Sequence, residues 1–408
     1  IRDVVIVDPR PPLSLTSRRP ETNYRLWWPL PAMIELAARS LALVEALLSD
    51  GAAVPMDRRG YLYVSDAEAT ARSLPAFVAG HPALVPAEAV ALDAAELHRR
   101  WPHLGPSVLG GILVGRAGSL DVVALGEAML ARAIGKGVRV QRGAVTGIAS
   151  GAGRVTGVSI EGPDGSADLA TDVIVDAAGP FAGTVATLAG ADLPIETVLR
   201  QKVVIRDEAR VVPRDAPFTI TLDGRRLPWS DGERRALAGE PDGERLLAPL
   251  PPGIHVKPDA TAGADAVKLG WAWDQRASPP TEHPEPPQAF PRMVLLGAAT
   301  VIPGLARYAD RLRAAAAMPL AHEGGFYART PDGRPLIGPV GRELEGFFTI
   351  SGLAGHGAMM AAAAGELAAD WITGSAHRVD APAFDPRRFS DTAYLEAIGS
   401  GAVVTGEL

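Results

Sequence analysis

Residues 326–371 read FYARTPDGRPLIGPVGRELEGFFTISGLAGHGAMMAAAAGELAADW and contain the patterns of a strand, a glycine-spaced loop and a helix in succession. The apolar run FFTISG predicts a buried strand, and the small residues that follow Gly357 predict a helix. Between them, Gly352, Gly355 and Gly357 allow close approach of the backbone to a ligand. The helix N-terminus adds unpaired N–H groups. This stretch therefore predicts a site that binds the polar, electron-rich edge of a cofactor.

The first half of the chain alternates between strand and helix patterns. The predicted helices cover 31–48, 94–101 and 122–134, and the predicted strands cover 4–7, 61–64, 138–141, 145–148, 155–160 and 173–176. The last of these strands runs into Ala177-Ala178-Gly179-Pro180, which predicts a tight turn. Alternation of this kind is typical of an α/β fold built on a nucleotide-binding sheet.

The segment from about Leu193 to His322 has a different pattern. Its predicted strands cover 202–205, 218–222 and 267–273, and proline-rich joints follow at 279–287. With 408 residues, the chain also exceeds the length that one hydrophobic core usually serves. We therefore expect two domains.

Composition excludes several functional classes. The net charge is −7 and there is no lysine and arginine block, so nucleic-acid binding is not expected. The chain has no cysteine, which excludes disulfides and thiol catalysis, and its eight histidines show no metal-ligand spacing. No uninterrupted apolar run reaches the roughly 18 residues that a membrane span requires. We predict a cytoplasmic protein without a metal or a membrane span.

Five further segments join the closing stretch in an order that is known from one enzyme family. They are NYRLWWP at 23–29, RRGYLYVS at 58–65, DAAGPFA at 176–182, LRQKVVI at 199–205 and KLGWAWD at 268–274. In these segments, and over nearly its whole length, the chain resembles the FAD-dependent D-amino-acid oxidase superfamily, which includes glycine and sarcosine oxidases. The resemblance implies an α/β, Rossmann-like FAD-binding domain formed by 1–51, 117–192 and 323–408. It also implies an α+β substrate domain with an antiparallel sheet, formed by 52–116 and 193–322.

One signature of this family is missing. Relatives open with a strand, a GxGxxG loop for the pyrophosphate and a helix, and an acidic residue about 20 residues further on binds the ribose. Here the run Val4 to Val7, followed by Asp8, has the pattern of the second strand, and no glycine follows it before Gly51. We interpret the FAD-binding domain as truncated at its N-terminus. The alternative is a natural protein that lacks the phosphate loop and binds no FAD.

The resemblance implies four contacts near the adenosine and pyrophosphate of FAD. Asp8 would bind the ribose hydroxyls, and Thr16 and Ser17 lie where relatives place small hydroxyl residues near the pyrophosphate. Val145 would contact the adenine through its backbone. Each position also has a structural interpretation, since a strand-end aspartate before a proline often forms a turn and hydroxyl residues are common in solvated loops.

Two turns supply the remaining contacts implied for FAD. Gly179 and Pro180 form the bend after the buried strand, where the family places its backbone against the cofactor. The glycine loop supplies Gly355, His356, Gly357 and Ala358. A donor or helix dipole at this end of the isoalloxazine would stabilise the negative charge that develops on reduction. A protonated His356 would add a positive charge, and its alternative role is to satisfy local backbone groups.

The resemblance places three further catalytic candidates beside the flavin, in addition to His356. Lys268 matches a lysine that relatives hold near the flavin to assist the reaction with oxygen, although strand lysines are often solvated edge residues. Arg25 is positioned to bind a substrate carboxylate, since its fork is bidentate to carboxylates. Tyr327 would orient an amine. The aromatic residues Tyr24, Trp27, Trp28, Trp271 and Trp273 are expected to line one pocket over the flavin or to belong to the core.

The function implied is that of a flavoprotein that oxidises a C–N bond of a small amine or amino acid by hydride transfer to noncovalently bound FAD. Oxygen is the expected electron acceptor. One alternative is a dehydrogenase that passes electrons to a carrier protein or quinone. Another, from a different class, is a non-catalytic binding or assembly factor without FAD.

Overall fold

Strands and helices alternate along the computed structural model, which describes residues 1, 3–18, 23–82, 85–240, 242–314, 320–341 and 344–401. Its strands are β1 (Val5–Asp8), β2 (Asn23–Arg25), β3 (Met56–Asp57), β4 (Tyr61–Ser65), β5 (Ala89–Asp93), β6 (Gly110–Val114), β7 (Ala117–Leu120), β8 (Arg139–Arg142), β9 (Ala144–Gly151), β10 (Arg154–Gly162), β11 (Gly165–Ala170), β12 (Ile174–Asp176), β13 (Glu196–Arg206), β14 (Phe218–Thr221), β15 (His255–Pro258), β16 (Ala266–Gly270), β17 (Leu320–Arg329), β18 (Leu336–Pro339) and β19 (Phe347–Ser351). Its α-helices are α1 (Pro31–Ser49), α2 (Glu68–Gly80), α3 (Ala94–Arg100), α4 (Val122–Gly135), α5 (Ala182–Leu188), α6 (Asp231–Leu237), α7 (Gly243–Leu247), α8 (Phe290–Ala299), α9 (Ala306–Arg313), α10 (Gly357–Thr373) and α11 (Thr392–Gly399).

The largest sheet has eight strands in the order β17-β13-β16-β15-β14-β4-β6-β5. Its neighbouring strands are antiparallel, except that β14 and β4 run parallel. Side chains alternate between the two faces of a strand, so Leu62, Val203 and Leu269 lie on the opposite face from Tyr61 and Lys268. The first face packs in one hydrophobic core with α8 and α9. The second face is turned toward the candidate site described below.

A second hydrophobic core lies on this other face of the large sheet. Tyr61 and Tyr63 of β4 pack there with Trp28, next to β2, and with Met360 of α10. Helix α1 packs along α10. The core therefore connects the glycine loop before α10 to the face of the sheet that carries Tyr61.

Parallel strand pairs hold the two turns that the sequence marks as cofactor contacts. Strand β12 pairs with β19 in parallel, so both carboxyl ends lie at one edge. The Ala178-Gly179 bend leaves β12 there, and the loop from Gly352 to Gly357 leaves β19. Strands β1 and β8 form a separate parallel pair that ends at Asp8. This mixed α/β architecture confirms the predicted fold class.

Most elements predicted from periodicity are confirmed. Helices α1, α3 and α4 and strands β4, β8, β10, β12 and β19 lie within two residues of the expected bounds, and β9 extends three residues beyond its expected end. The strand predicted over 267–273 ends at Gly270, and the sequence patterns missed β15 and α2. The domain boundaries stay a prediction, and the large sheet takes its strands from 61–114 and 196–329. None of the helices in the described ranges is long and apolar enough to cross a bilayer.

Candidate functional site

A cavity of about 180 Å³ lies where the glycine loop meets α4 and the end of β17. Its walls come from a short 3-10 helix at Thr16–Arg18, from the first turns of α4 and α10, and from the loop between β19 and α10. The lining residues are Leu13, Thr16, Ser17, Val122, Leu125, Gly126, Met129, Tyr327, Ala354, Gly355, Gly357, Ala358 and Ala361. Thr16 and Ser17, which were expected near the pyrophosphate, therefore meet Tyr327 here. The cavity also contains Gly355, Gly357 and Ala358 of the segment expected at the flavin.

The glycine loop takes a conformation that depends on small residues. Gly352 has φ +64° and Ala354 has φ +43°, both in the left-handed region. The Ala354 N–H donates to the Ala328 carbonyl at 2.8 Å, which fixes the loop against β17. A Cβ atom added to Gly355 would lie 2.6 Å from Cε2 of Tyr327. Glycine is thus required at this position for the Tyr327 ring to stand where it does, and the N-terminus of α10 opens onto the cavity.

His356 is the N-cap residue of α10 and does not line the cavity. Its ring meets the Trp28 ring edge-on, with 4.4 Å between centroids. The surrounding protein atoms, and to a smaller extent the charge of Arg25, hold the pKa of His356 well below its usual value. The imidazole is therefore neutral at physiological pH. This corrects the expectation of a positive charge from His356, because burial opposes its protonation.

Arg25 is held at the end of β2 by aromatic neighbours. Its Nε donates to the Trp27 carbonyl at 3.2 Å. Its Cζ lies 4.0 Å from the centroid of the Trp28 ring and 6.0 Å from that of Tyr61. Cation–π contacts of this kind fix a guanidinium while leaving its in-plane N–H groups available for other bonds. The Arg25 guanidinium, which we expected to bind a substrate carboxylate, is thus held in a fixed position next to His356.

Lys268 is buried on the face of the large sheet that is turned toward the candidate site, and it is 7% exposed. Its Nζ lies 2.5 Å from Oδ2 of Asp259. Burial alone would raise the pKa of Asp259, but the charge and hydrogen bond of Lys268 outweigh it and hold that pKa below its usual value. Lys268 is therefore part of a buried ion pair, and the interpretation as a solvated edge lysine is wrong.

The candidates for the adenosine end lie outside the cavity. Asp8 ends β1, and its Oδ1 accepts the Arg10 N–H at 2.8 Å, which is the turn that the sequence offered as an alternative. Val145 lies in β9 of a separate antiparallel sheet with β10 and β11. Thr16 Oγ1 donates to the Phe326 carbonyl at 3.3 Å, which ties the 3-10 helix to β17. The cavity thus gathers Thr16, Ser17, Tyr327 and part of the glycine loop. The candidates that do not line it are Asp8, Arg25, Val145, Gly179, Pro180, Lys268 and His356.

The bend after β12 leaves room for a ligand. Gly179 has φ +59°, and a Cβ atom added there would meet nothing within 4 Å. Asp176, at the end of the strand, is 2% exposed. Its Oδ1 accepts the Ala178 N–H at 3.0 Å, while its Oδ2 has no hydrogen-bond partner within the described residues. Burial raises the pKa of Asp176 to about 7, against the opposing effect of the Ala178 N–H.

These features fit a dinucleotide cofactor at its ring end. The glycine loop and the start of α10 supply backbone donors, and Gly179 leaves space at the carboxyl edge of the parallel strands. The buried, unsatisfied Oδ2 of Asp176 at this edge suits a further polar partner.

None of the five aromatic residues expected over the flavin lines the cavity, and all five belong to hydrophobic cores, which was the alternative. Tyr24, Trp27 and Trp28 pack on the inner face with Tyr61 and Tyr63. Trp271 and Trp273 pack in the other core, with α8, so their assignment to this pocket is wrong. Both tryptophans lie beyond the end of β16 at Gly270, where they join Leu269 in the core on the face opposite Lys268. Sequence reasoning also missed Lys257, whose signal was the alternating run IHVKP that forms β15.

Comparison with known proteins agrees with this architecture. The model of the DAO family, described as FAD dependent oxidoreductase, matches residues 2–371. The protein belongs to this family of FAD-dependent oxidoreductases. A search of curated proteins gave no match.

Several solved structures share the fold at low sequence identity. L-proline dehydrogenase from P. horikoshii has a TM-score of 0.74 at 21% identity, over 95% of this chain and 91% of that chain. Glycine oxidase from Geobacillus kaustophilus has a TM-score of 0.71 at 17% identity, over 94% and 91%. Iminodiacetate oxidase from Chelativorans sp. has a TM-score of 0.69 at 19% identity, over 94% and 92%. At these identities the likeness shows the fold alone.

Proposed function

We propose that this FAD-dependent oxidoreductase oxidises a C–N bond of a small amine or amino acid. One observation carries the proposal: Tyr327 and the glycine loop form one wall of the cavity, and Arg25 is held on the Trp28 ring that meets His356 of this loop. Lys268 lies on the same face of the large sheet as Tyr327. The structures of similar fold support it, since they include a proline dehydrogenase, a glycine oxidase and an iminodiacetate oxidase. Each of those compounds has a C–N bond beside a carboxylate.

The start of α10 is proposed to face the flavin. FAD, when bound, accepts a hydride from the carbon of the C–N bond. Backbone N–H groups at Gly357 and Ala358, together with the helix dipole, would stabilise negative charge at this place. Neutral His356, packed on Trp28, would support the loop from behind. The chain thereby contributes fixed dipoles at the glycine loop, with no positively charged histidine.

Arg25 and Tyr327 are proposed to hold the substrate. The Arg25 guanidinium, fixed on the Trp28 ring, would bind the carboxylate of an amino acid in bidentate fashion. Tyr327 lies against Gly355 and would orient the amine. Held on both sides, the C–N bond would face the glycine loop, and positioning of this kind lowers the barrier to transfer.

The remaining contacts with the cofactor are also proposals. Thr16 and Ser17 would approach the pyrophosphate, and Gly179 and Pro180 would approach the cofactor at the carboxyl edge of β12. Asp8 and Val145 would serve the adenosine end. The cofactor would be held noncovalently, because the chain has no cysteine and Gly325 stands where some relatives attach flavin.

Oxygen is the proposed electron acceptor, and Lys268 supports that choice. A buried ammonium would stabilise superoxide as it forms. The ion pair with Asp259 favours the alternative of a dehydrogenase, since the carboxylate offsets the charge of Lys268. Fast reoxidation of the reduced flavin by oxygen, slowed in Lys268→Met, would support the oxidase. Slow reoxidation that Lys268→Met leaves unchanged would support a carrier protein or quinone as acceptor.

The central test is reduction of the bound flavin by amines. Protein reconstituted with FAD is mixed anaerobically with glycine, sarcosine, L-proline or iminodiacetate, and the visible flavin absorbance is followed. We expect bleaching with at least one of these, and slower bleaching in Arg25→Leu. Bound flavin that no amine or amino acid reduces would contradict the proposal.

A further inference from the structure

The chain leaves the large sheet after β16 and returns to it a few residues later. Gly270, the last residue of β16, pairs with Lys202 of β13, and Ala277 forms an antiparallel bridge with Val198. The returning chain uses more residues than β13 does between these two points, so residues 271–276 bulge from the sheet. Bulges of this kind frequently redirect side chains beside functional sites.

Two arginines from neighbouring strands hold this bulge through one glutamine. Arg200 of β13 donates from Nη1 to the Asp274 carbonyl at 2.7 Å and from Nη2 to Oε1 of Gln275 at 2.6 Å. Arg329 of β17 donates from Nη1 to the same Oε1 at 2.7 Å and from Nη2 to the Gln275 carbonyl at 2.9 Å. The Gln275 amide also donates from Nε2 to the Ala272 carbonyl at 2.8 Å. We call Arg200, Gln275 and Arg329 the arginine clamp.

Strand register places Tyr327 between the two arginines of the clamp. Arg329 lies two residues after Tyr327 on β17, and Arg200 pairs with Gly325, two residues before it. Residues two apart on a strand share one face of a sheet, and so do directly paired residues of neighbouring strands. Because Gly325 has no side chain, it leaves room for the Arg200 side chain, whose Cζ lies 6.0 Å from the centroid of the Tyr327 ring. The arginine clamp therefore spans the face of β17 from which Tyr327 projects.

The Gln275 oxygen keeps two like charges together on this face. An amide oxygen has two lone pairs, so it accepts from both Arg200 and Arg329. Guanidinium groups that lie this close repel each other, and the shared acceptor opposes the repulsion. Without that oxygen, Arg200 would move away from the Tyr327 ring. Gln275 itself is exposed, so its replacement does not disturb a hydrophobic core.

We propose that Gln275 is a positioning residue, which holds Tyr327 in the orientation that the substrate requires and acts through Arg200 and Arg329. The inference rests on the proposed function and adds residues that regulate the geometry of the same site. Tyr327 lines the cavity and lies against Gly355 of the glycine loop. The arginine clamp holds its ring from β13 and the bulge. A tyrosine held in this way keeps one orientation toward the amine, and positioning of this kind lowers the barrier to transfer.

The first test replaces Gln275 by two side chains of similar length. Methionine removes the shared acceptor, whereas glutamate keeps it. FAD-reconstituted protein is mixed anaerobically with whichever of glycine, sarcosine, L-proline or iminodiacetate reduces the wild type, and stopped-flow absorbance follows the flavin. We expect reduction at saturating substrate to slow by at least about tenfold in Gln275→Met and to keep most of its rate in Gln275→Glu. Gln288→Met, at an exposed glutamine just before α8, is the matched control and should react as the wild type does.

A second measurement follows Tyr327 without turnover. The chain has six tyrosines, so protein with tyrosine isotope-labelled at Cζ gives few nuclear magnetic resonance signals. The signal of Tyr327 is assigned by its loss in Tyr327→Phe. We expect Gln275→Met to shift this signal, because the Arg200 charge moves away from the ring, and Gln288→Met to leave it in place.

An unshifted Tyr327 signal in Gln275→Met would overturn the inference, as would a shifted signal with an unchanged rate of flavin reduction. An equal fall in rate in Gln275→Met and Gln275→Glu would also overturn it, because the shared acceptor would then not be the cause. If no amine reduces the wild-type flavin, the proposed function is wrong, and the Tyr327 signal still decides whether Gln275 positions the ring. The two failures are thus distinguishable.

Discussion

The Tyr327 ring stands against Gly355 so closely that a Cβ atom on Gly355 would lie 2.6 Å from Cε2 of the ring. The two residues belong to different elements, the strand β17 and the loop before α10. Their contact fixes the distance between the proposed substrate-orienting tyrosine and the proposed flavin-facing loop. Site geometry thus depends on the absence of one side chain.

Gly355→Ala should therefore impair the site without unfolding the protein. The methyl group would push the Tyr327 ring or the loop aside, and we expect flavin reduction to slow by about a hundredfold, as for small misplacements of reacting groups. Stopped-flow absorbance measures this rate. Gly365→Ala in α10 is the control, since a Cβ there meets nothing within 4 Å. Displacement of the loop in Gly355→Ala should also weaken FAD binding. Adding Tyr327→Ala should restore FAD affinity if the clash is the cause, and continued loss would exclude that cause.

Asp259 and Lys268 should show strong energetic coupling. Removal of either partner leaves the other charge buried, so Asp259→Asn and Lys268→Met should each destabilise the protein by roughly 3 kcal/mol. The double variant should lose less than the sum, with a coupling energy of about 1–3 kcal/mol. Urea denaturation of the four proteins gives the cycle. Additive losses would mean that the ion pair contributes little.

Asp176 should make stability fall as pH rises toward neutrality. Its pKa is raised from 3.8 to about 7, so in this range the folded protein keeps a proton that the unfolded chain has lost. The contribution of Asp176 to stability is complete below its pKa in the unfolded chain, and it is lost as pH rises through its pKa in the folded protein. Because of this carboxyl, the free energy of unfolding should be lower at pH 8 than at pH 4.5 by on the order of 2–4 kcal/mol, and Asp176→Asn should remove that difference. The two pH values lie at about the ends of this window.

The measurement for Asp176 is urea denaturation of both proteins at the two pH values. Other titrating groups act equally in wild type and variant, so the difference between them isolates Asp176. The same pH dependence in both would show that this carboxyl ionises normally in the folded protein.

Arg25→Leu should impair the oxidation of amino acids more than the oxidation of amines without a carboxylate. Loss of a charged, bidentate contact should lower kcat/KM for amino acids by about a hundredfold, and it should affect amines without a carboxylate far less. The matched control is Arg58→Leu, since Arg58 is an exposed arginine paired with Glu45. Steady-state kinetics with an amino acid and its decarboxylated analogue provide the comparison. An equal loss for both substrates would assign Arg25 a structural role on the Trp28 ring.

Local sequence patterns predicted the parts of the site that are local in the chain. The glycine loop, the start of α10 and the bend at Gly179 each depend on a few consecutive residues, and each forms as expected. Sequence patterns failed where a residue had to be assigned to one face of the large sheet. Trp271 lies three residues after Lys268, just beyond the end of β16, and it packs in the core on the face of the sheet opposite Lys268. Attention to that spacing would have corrected the aromatic pocket.

The amino-acid sequence by itself determined the α/β fold class and the loop that faces the cavity, because these follow from short-range periodicity and from glycine at fixed places. It also indicated the family, through the resemblance of several motifs. Only the tertiary structure decided that Lys257 stands opposite Lys268, that Asp259 neutralises one of them and that His356 is uncharged. Strand register, burial and the pKa values that follow from burial depend on residues far apart in the chain. Those distances are set when the sheets and helices pack together.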